Sequence, residues 1–447
     1  MQIIRSVLHP YDRLLGKQKI NVQLQYRLMT FVTQLPISEG TLFYHTMTKS
    51  LVLLTNHETC LFVNNPLSVP ELIALWFAVP IDYDDHLLSR QFTHIAKMLE
   101  EPIKGITNYT IFTTTDCNAR CFYCFEKGRS RIPMSEETAR KTAKYIIKHC
   151  LGQRVSLSWF GGEPLYNKSV IDTICSILRD AGIEYKSTMT SNAYLMDSDT
   201  IQKACSLWNL KSILITLDGT EKVYNRCKAY IYREGSAFRR VIDNIRSSLE
   251  VGIKVSIRLN IDLHNADDLF LLAEQLRNEF SSFTDVSVFS YPLYGNCMEK
   301  AAVNNDIQRR YIFEKQKQLS TLLQKYGLAK PKELPMTQKS NNCMADNNRC
   351  ITILPDGHIG KCNQFSDDNF IGHIDQEEFD QQLIHDFKTL RKDELEVCNH
   401  CVSYPDCFYL NKCPHHQQCY PENRERLLIN IRQGMESAYQ EYKLKKS

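Results

Sequence analysis

From residue 104 onward, short apolar runs alternate with longer stretches whose apolar side chains recur every three or four positions. The runs are Tyr109–Phe112, Val155–Trp159, Tyr185–Thr190, Ser212–Thr216, Lys254–Asn260 and Asp285–Tyr291. Their length and their β-branched and aromatic content read as strands. Ser135–Lys148, Ser169–Ala181, Ala237–Glu250 and Ala266–Glu279 have helical spacing and lie between them. Such alternation predicts βα units around a parallel sheet, an α/β fold. Upstream, Thr41–His45 and Ser50–Thr55 read as two strands about a turn, followed by amphipathic helices at Val69–Ala78 and Asp85–Glu100. Residues 1–103 are therefore expected to form an α+β extension. No run approaches the ~20 apolar residues of a membrane span. Arg5, Asp12 and Arg13 break any apolar stretch at the amino terminus, so it does not read as a signal peptide.

Cysteine changes the picture. Of the 17 cysteines, three fall at Cys117, Cys121 and Cys124 and eight between Cys343 and Cys419. The first group reads Cys117-Asn-Ala-Arg-Cys121-Phe-Tyr-Cys124, just after an apolar run. Thiolate is the soft ligand that holds iron–sulfur clusters. Three thiolates at this spacing suit a 4Fe–4S cluster with one iron open to a small molecule. Zinc would want a fourth ligand close by, and the loop holds no histidine. Three cysteines also pair badly as disulfides.

At these residues the chain resembles the radical S-adenosylmethionine (SAM) enzymes. The resemblance implies that Cys117, Cys121 and Cys124 hold the cluster whose open iron chelates SAM, with Tyr123 packed near the adenine. Cleavage of SAM would then yield a 5′-deoxyadenosyl radical. Gly161-Gly162-Glu163, at the end of the next apolar run, is similar to the family's Gly-Gly-Glu motif. There the glycines allow close backbone approach and Glu163 would accept from the SAM ammonium. Alone, Gly-Gly-Glu would be an ordinary turn. Three further strand ends, Thr190-Ser191-Asn192, Thr216-Leu217-Asp218-Gly219 and Arg258-Leu259-Asn260, carry polar groups where barrel enzymes bind ligands. By resemblance Asn192, Thr216 and Arg226 are candidates for the SAM ribose and carboxylate; as plain residues they are strand-end caps. The implied fold over 104–330 is the partial (β/α)6 radical SAM barrel.

The second group is Cys343, Cys350, Cys362, Cys398, Cys401, Cys407, Cys413 and Cys419. Eight thiols match two fully ligated 4Fe–4S clusters. Pro355-Asp356-Gly357 marks a tight hairpin before Cys362. The arrangement resembles the SPASM domain of peptide- and protein-modifying radical SAM enzymes, here spanning 331–425. The resemblance assigns Cys343, Cys350, Cys362 and Cys413 to one auxiliary cluster and Cys398, Cys401, Cys407 and Cys419 to the other. The gaps around Cys413 depart from the family spacing, which leaves the partition of Cys413 and Cys419 open. A zinc ribbon at Cys398–Cys401, helped by His400, His415 and His416, is the alternative. Of the remaining cysteines, Cys60, Cys150, Cys175 and Cys205 read as inert core thiols. Cys227 and Cys297 read the same way, with the alternative that, following the fourth and sixth strands, they face a barrel mouth as radical-capturing or acid/base groups.

Composition adds limits. At 447 residues the chain can hold two or three domains, closing with a helix over 426–447. A net charge of +3 does not suggest nucleic acid, and the cysteine content points to a reducing cytoplasm. The hairpin-then-helices order of residues 1–103 is similar to winged-helix modules that hold a leader peptide by strand addition. The expected function is a radical SAM/SPASM enzyme that installs a thioether or carbon–carbon crosslink in a ribosomally made precursor peptide. Its electron donor would be a flavodoxin or ferredoxin. Anaerobic formylglycine formation in a sulfatase and peptide epimerisation are alternatives within the class. A zinc-stabilised interaction protein is the alternative outside it.

Overall fold

The computed structural model describes residues 1–5, 15–100, 104–293, 305–336, 343–364, 369–388, 395–407 and 419–446. The amino-terminal stretch supplies β1 (Gln2–Arg5), β2 (Tyr26–Leu28), β3 (Val32–Ile37), β4 (Gly40–His45), β5 (Leu51–Leu54) and β6 (Ala78–Pro80). β1, β5, β4 and β3 form an antiparallel sheet in that order, and β2 pairs with β6. The expected hairpin is thus β4–β5, while β1 to β3, β6 and the helix Asn56–Asn64 were not anticipated. That helix starts on a reciprocal capping box between Thr55 and Glu58. The helix expected over Val69–Ala78 is only Pro70–Ala74. Trp76 takes φ +67°, and the Phe77 N–H turns back to the Leu72 carbonyl, which releases the chain into β6. Asp85–Glu100 is helical with the bounds read from the sequence.

The expected runs downstream become β7 (Asn108–Phe112), β8 (Val155–Phe160), β9 (Tyr185–Ser191), β10 (Leu210–Thr216), β11 (Lys254–Ile261) and β12 (Val286–Pro292). Each pairs in parallel with the next. Helices Glu136–His149, Lys168–Asp180, Ser198–Ser206, Glu221–Lys228, Ala237–Glu250 and Asp268–Phe280 lie between them, and Asp306–Lys325 follows β12. This is the partial (β/α)6 barrel. Along β8, Val155, Leu157 and Trp159 point into the core, each contributing about 1.5–3 kcal/mol through burial. The sheet then extends beyond the barrel. β13 (Cys350–Ile353) adds to β7 in parallel, and β14 (His358–Gly360) and β15 (Phe370–His373) follow antiparallel, giving nine strands.

The chain forms two compact units, each drawn from separated stretches. One comprises residues 1–103, 331–343 and 389–447; the other comprises 104–330 and 344–388. The stretch 331–425, expected as one domain, is therefore divided. Residues 350–373 belong with the barrel because β13 completes hydrogen bonds on the open edge of β7. The carboxyl-terminal helix runs Pro421–Lys446, and its Met435 and Tyr439 pack on Leu42, Tyr44, Leu51 and Leu53 of the first unit.

Candidate functional site

The carboxyl ends of β7, β8, β9 and β10 converge on the Cys117–Cys124 loop. Leaving β7, the chain crosses directly over Gly161 and Gly162. The Gly162 N–H donates to the Thr114 carbonyl and the Glu163 N–H to the Asp116 carbonyl, each at 3.0 Å. A Cβ on Gly161 would stand 2.1 Å from the Thr114 carbonyl oxygen, and one on Gly162 would stand 2.3 Å from that of Asp116. Gly161 also takes φ +127°. The close approach that requires glycine is therefore to the cysteine loop's own backbone. The Asp116 carboxylate accepts from the Cys117 N–H at 2.8 Å and faces Arg120 and Arg131, closing the start of the loop.

Glu163 is 1% exposed. Its carboxylate accepts from the Ser191 hydroxyl at 2.7 Å, the Asn192 N–H at 2.7 Å and the Leu165 N–H at 3.1 Å. Burial pushes its pKa up to about 7 against these bonds, which favour the charged form. The Asn192 side chain donates to the Asn118 oxygen at 2.7 Å and approaches the Cys117 sulfur at 3.8 Å. Glu163, Asn192 and Cys117 are thus brought together from β8, β9 and the loop.

The opposite wall brings Tyr123, Thr216, Asp218 and Asn260, all quoted from the sequence, together with Lys228, which the sequence did not single out. Lys228 is 2% exposed, and its ammonium donates to Tyr123 Oη at 2.8 Å, contacts Thr216 Oγ1 and pairs with Asp218 at 3.0 Å. Tyr123 donates to Asp218 at 2.6 Å, and Asn260 donates to the other Asp218 oxygen at 3.0 Å. Burial alone would lower the Lys228 pKa, but Asp218, together with Cys121 and Tyr224, more than reverses it and keeps the ammonium charged. Arg226, the cation singled out by resemblance, stands exposed on the same helix. Lys228 shares the buried face with Tyr224, four residues earlier, and that spacing was the available signal. Two backbone bonds, Arg120 N–H to Lys228 O and Ile231 N–H to Asn118 O, tie this segment to the cysteine loop.

The three thiols are each other's electrostatic neighbours. Burial raises the pKa of all three, that of Cys124 to about 11, and around Cys117 the Glu163 carboxylate and the other two thiols add to it. Crowded thiolates of this kind need cationic metal between them. Nearby buried polar atoms lack protein partners: Asn118 Nδ2, Asn260 Oδ1, Arg258 Nε and Glu126 Oε1. The donor set fits a three-thiolate cluster with one open iron. The unpartnered atoms fit a ligand bringing its own amine, carboxylate and hydroxyls.

The remaining thiols divide between the units. The β13–β14 register pairs Thr352 with Gly360; Cys350 opens β13 and Cys362 follows β14 by two residues, so both lie at the open end of the hairpin. Buried Lys361 ties this end by donating to the Asn347 and Cys350 carbonyls at 2.6 and 2.8 Å. Cys343 lies in the other unit, and Cys413, His415, His416 and Cys297 fall outside the described residues. In the first unit Cys398 is pushed up to about 11 by burial and by the neighbouring Cys407, Cys401 and Cys419, with Arg424 opposing. Cys401, Cys407 and Cys419 are thus electrostatic neighbours of Cys398. Among the described residues no group of three or more Cys, His, Asp or Glu side chains is already placed to hold a metal ion of any kind. Of the scattered cysteines, Cys150, Cys175 and Cys227 are buried, whereas Cys60 and Cys205 are exposed on helices.

Residues 111–274 match the radical SAM superfamily. A GTP 3′,8-cyclase of Rhodopirellula baltica is 32% identical over 155 residues, which span 34% of this chain but only 40% of that protein. A GTP 3′,8-cyclase of Clostridium perfringens is 25% identical over 318 residues, 64% of this chain and 93% of that protein. Among solved structures, native anSMEcpe with bound AdoMet and Cp18Cys peptide superposes with a TM-score of 0.55 at 11% identity, over 76% of this chain and 99% of that one, a likeness of fold. The cysteine loop, the braced Gly-Gly-Glu turn and the parallel partial barrel accordingly identify this chain as a carrier of a radical SAM superfamily domain.

Proposed function

We propose that this protein is a radical SAM enzyme that modifies a peptide, most directly by forming a thioether or carbon–carbon crosslink in a ribosomally made precursor. The observation that carries the reading is the gathering of Cys117, Cys121 and Cys124 beside Glu163 and Asn192 at the carboxyl ends of parallel strands. When bound, the cluster and SAM supply reductive cleavage of the sulfonium and a hydrogen-abstracting 5′-deoxyadenosyl radical. The chain's own part is placement. Cys117, Cys121 and Cys124 would anchor the cluster, and Glu163, held by Ser191 and Asn192, would accept from the SAM ammonium. The Tyr123–Asp218–Lys228 network fixes the far side of the loop. Asn192 and Thr216 remain the assigned contacts to ribose and carboxylate, with Lys228 in the position given to Arg226.

Support for a peptide substrate comes from the thiol sets outside the barrel and from the fold shared with anSMEcpe, whose structure holds a peptide. Cys398, Cys401, Cys407 and Cys419 would hold one auxiliary cluster; Cys343, Cys350, Cys362 and Cys413 are assigned to the other. Held there, such clusters would supply an acceptor for the electron released when a substrate radical closes to a crosslink. A winged-helix-like role for residues 1–103 in peptide capture, a flavodoxin or ferredoxin as donor and a cytoplasmic setting belong to the same reading.

Chemistry on a purine nucleotide is the second reading, favoured by the Clostridium perfringens relative matched over 93% of its length. One experiment separates them. Reconstituted enzyme, SAM and reductant are incubated anaerobically with a candidate precursor peptide or with GTP, and products are read by mass spectrometry. Loss of two hydrogens from the peptide supports crosslinking, and one solvent deuterium gained without other change supports epimerisation. Turnover of GTP alone would sink the peptide assignment. Zinc without acid-labile sulfide would remove the whole mechanism.

A further inference from the structure

The Cys398–Cys407 segment is gripped by the amino-terminal stretch at each of its cysteines. The Tyr404 ring stacks on Phe31 at 5.8 Å and 10°, and meets His86 edge-on at 4.5 Å. Thr46 Oγ1 donates to the Val402 carbonyl, next to Cys401, at 2.6 Å. Lys49 donates from Nζ to both carboxylate oxygens of Asp406, next to Cys407, at 2.6 Å. His86 Nε2 lies 3.3 Å from the Cys398 carbonyl oxygen. Met29, Phe31, Met47, Val79, Cys398 and Tyr404 form one buried cluster.

Lys49 is the telling residue. It is 1% exposed, yet it is a lysine, and it sits at φ +61° in the β4–β5 turn. A non-glycine residue in that region and an ammonium removed from water are both costly. They persist only where the surroundings specify them. What surrounds Lys49 is the Thr46 carbonyl and Asp406.

We propose that residues 29–86 are the wall of the second thiol set, and that Lys49 and Thr46 are positioning residues for the cluster held by Cys398, Cys401, Cys407 and Cys419. Thr46 holds the turn after Cys401. Lys49 holds the turn before Cys407 and neutralises Asp406, so that this carboxylate does not add to the negative charge of four thiolates. Charge and hydrogen bonds around a cluster set its stability and potential. The inference rests on reading this set as cluster ligands. It also changes how residues 1–103 can be tested, because deleting them would strip the cluster before any loss of peptide binding could be read.

The full chain, purified anaerobically as holoenzyme, provides the test. Lys49→Met is expected to lose about one cluster's worth of iron and sulfide, roughly four of each per chain, together with one reduced-state EPR signal. Lys49→Arg is expected to restore both. Thr46→Val, nearly isosteric, is expected to keep its iron but shift the reduction potential of that one signal, and it carries the test if Lys49→Met does not fold. Full iron in Lys49→Met together with unchanged potentials in Thr46→Val overturns this proposal alone. Zinc in place of iron and sulfide in the unsubstituted chain overturns the reading beneath it.

Discussion

In the barrel unit, three thiols lie within eight residues, on a loop whose partners are the ends of neighbouring parallel strands. In the other unit, three of the four thiols lie on the 398–407 segment, which is held by residues some 350 positions earlier in the chain, as in Thr46 to the Val402 carbonyl and Lys49 to the Asp406 carboxylate. The first arrangement is local and rigid by backbone geometry. The second is long-range and depends on a buried ion pair and an aromatic stack. A local loop survives changes elsewhere and fails when its crossing is blocked. A set held at long range fails when any distant clamp is removed.

The sharpest way to break the local side is to add a methyl group at the crossing. Gly161→Ala or Gly162→Ala drives a Cβ into the Thr114 or Asp116 backbone carbonyl, with an expected loss of more than about 3 kcal/mol. Thermal unfolding and iron retention measure it. Wild-type stability in either variant would show that the crossing is loose. Next comes Lys228→Met, which leaves Asp218, 1% exposed, without its counter-charge. A loss of about 3–5 kcal/mol is expected by denaturant titration, and Lys228→Arg should recover part of it. If the methionine variant is as stable as the parent, the network does not hold the loop.

The two units should also respond to acid with opposite sign. Glu163 has its pKa raised from 4.5 to about 7, so the fold binds a proton that the unfolded chain has already released. Its contribution is most favourable below about pH 4.5 and is lost as pH rises towards 7, a change of about 3 kcal/mol. His45, fully buried, has its pKa lowered from 6.5 to about 3 by burial, with Lys49 adding to it. Its contribution is full above pH 6.5 and is lost as pH falls, by about 3 kcal/mol near pH 4.5. Differences between wild type and Glu163→Gln, and between wild type and His45→Asn, across that range isolate the two slopes. Slopes of the same sign would contradict the contrast. The smallest effect is at the helix caps. Thr55→Ala in one unit and Ser135→Ala in the other each remove a side-chain cap and should cost about 1 kcal/mol, readable as a shift in the unfolding midpoint.

The barrel was legible because its signals are local. Lys254–Asn260 and Ala237–Glu250 declare their periods without reference to distant residues, and the strands and helices form with bounds within a few residues of those read. The cysteine loop stands out by residue type and spacing, and Glu163 by resemblance to a family motif. Lys228 is not legible in the sequence because its partner Asp218 comes from another element, and only the helix face it shares with Tyr224 marks it as buried. The short helix at Pro70–Ala74 was overextended because nothing in the apolar pattern announces a tryptophan at positive φ. The division of 331–425 was missed because β-pairing between β13 and β7 joins residues far apart in sequence.

Taken by itself, the sequence determined the βα alternation, the three-thiol loop and the presence of eight further clustered thiols. These depend on backbone periodicity and on short covalent spacings, which no tertiary contact can alter. Only the tertiary structure decided that Gly161 and Gly162 serve a backbone crossing, that Lys228 faces Asp218, and that Lys49 reaches Asp406. The physical reason is the same in each case. A buried charge or a missing Cβ has meaning only through the group it meets, and that group comes from another part of the chain.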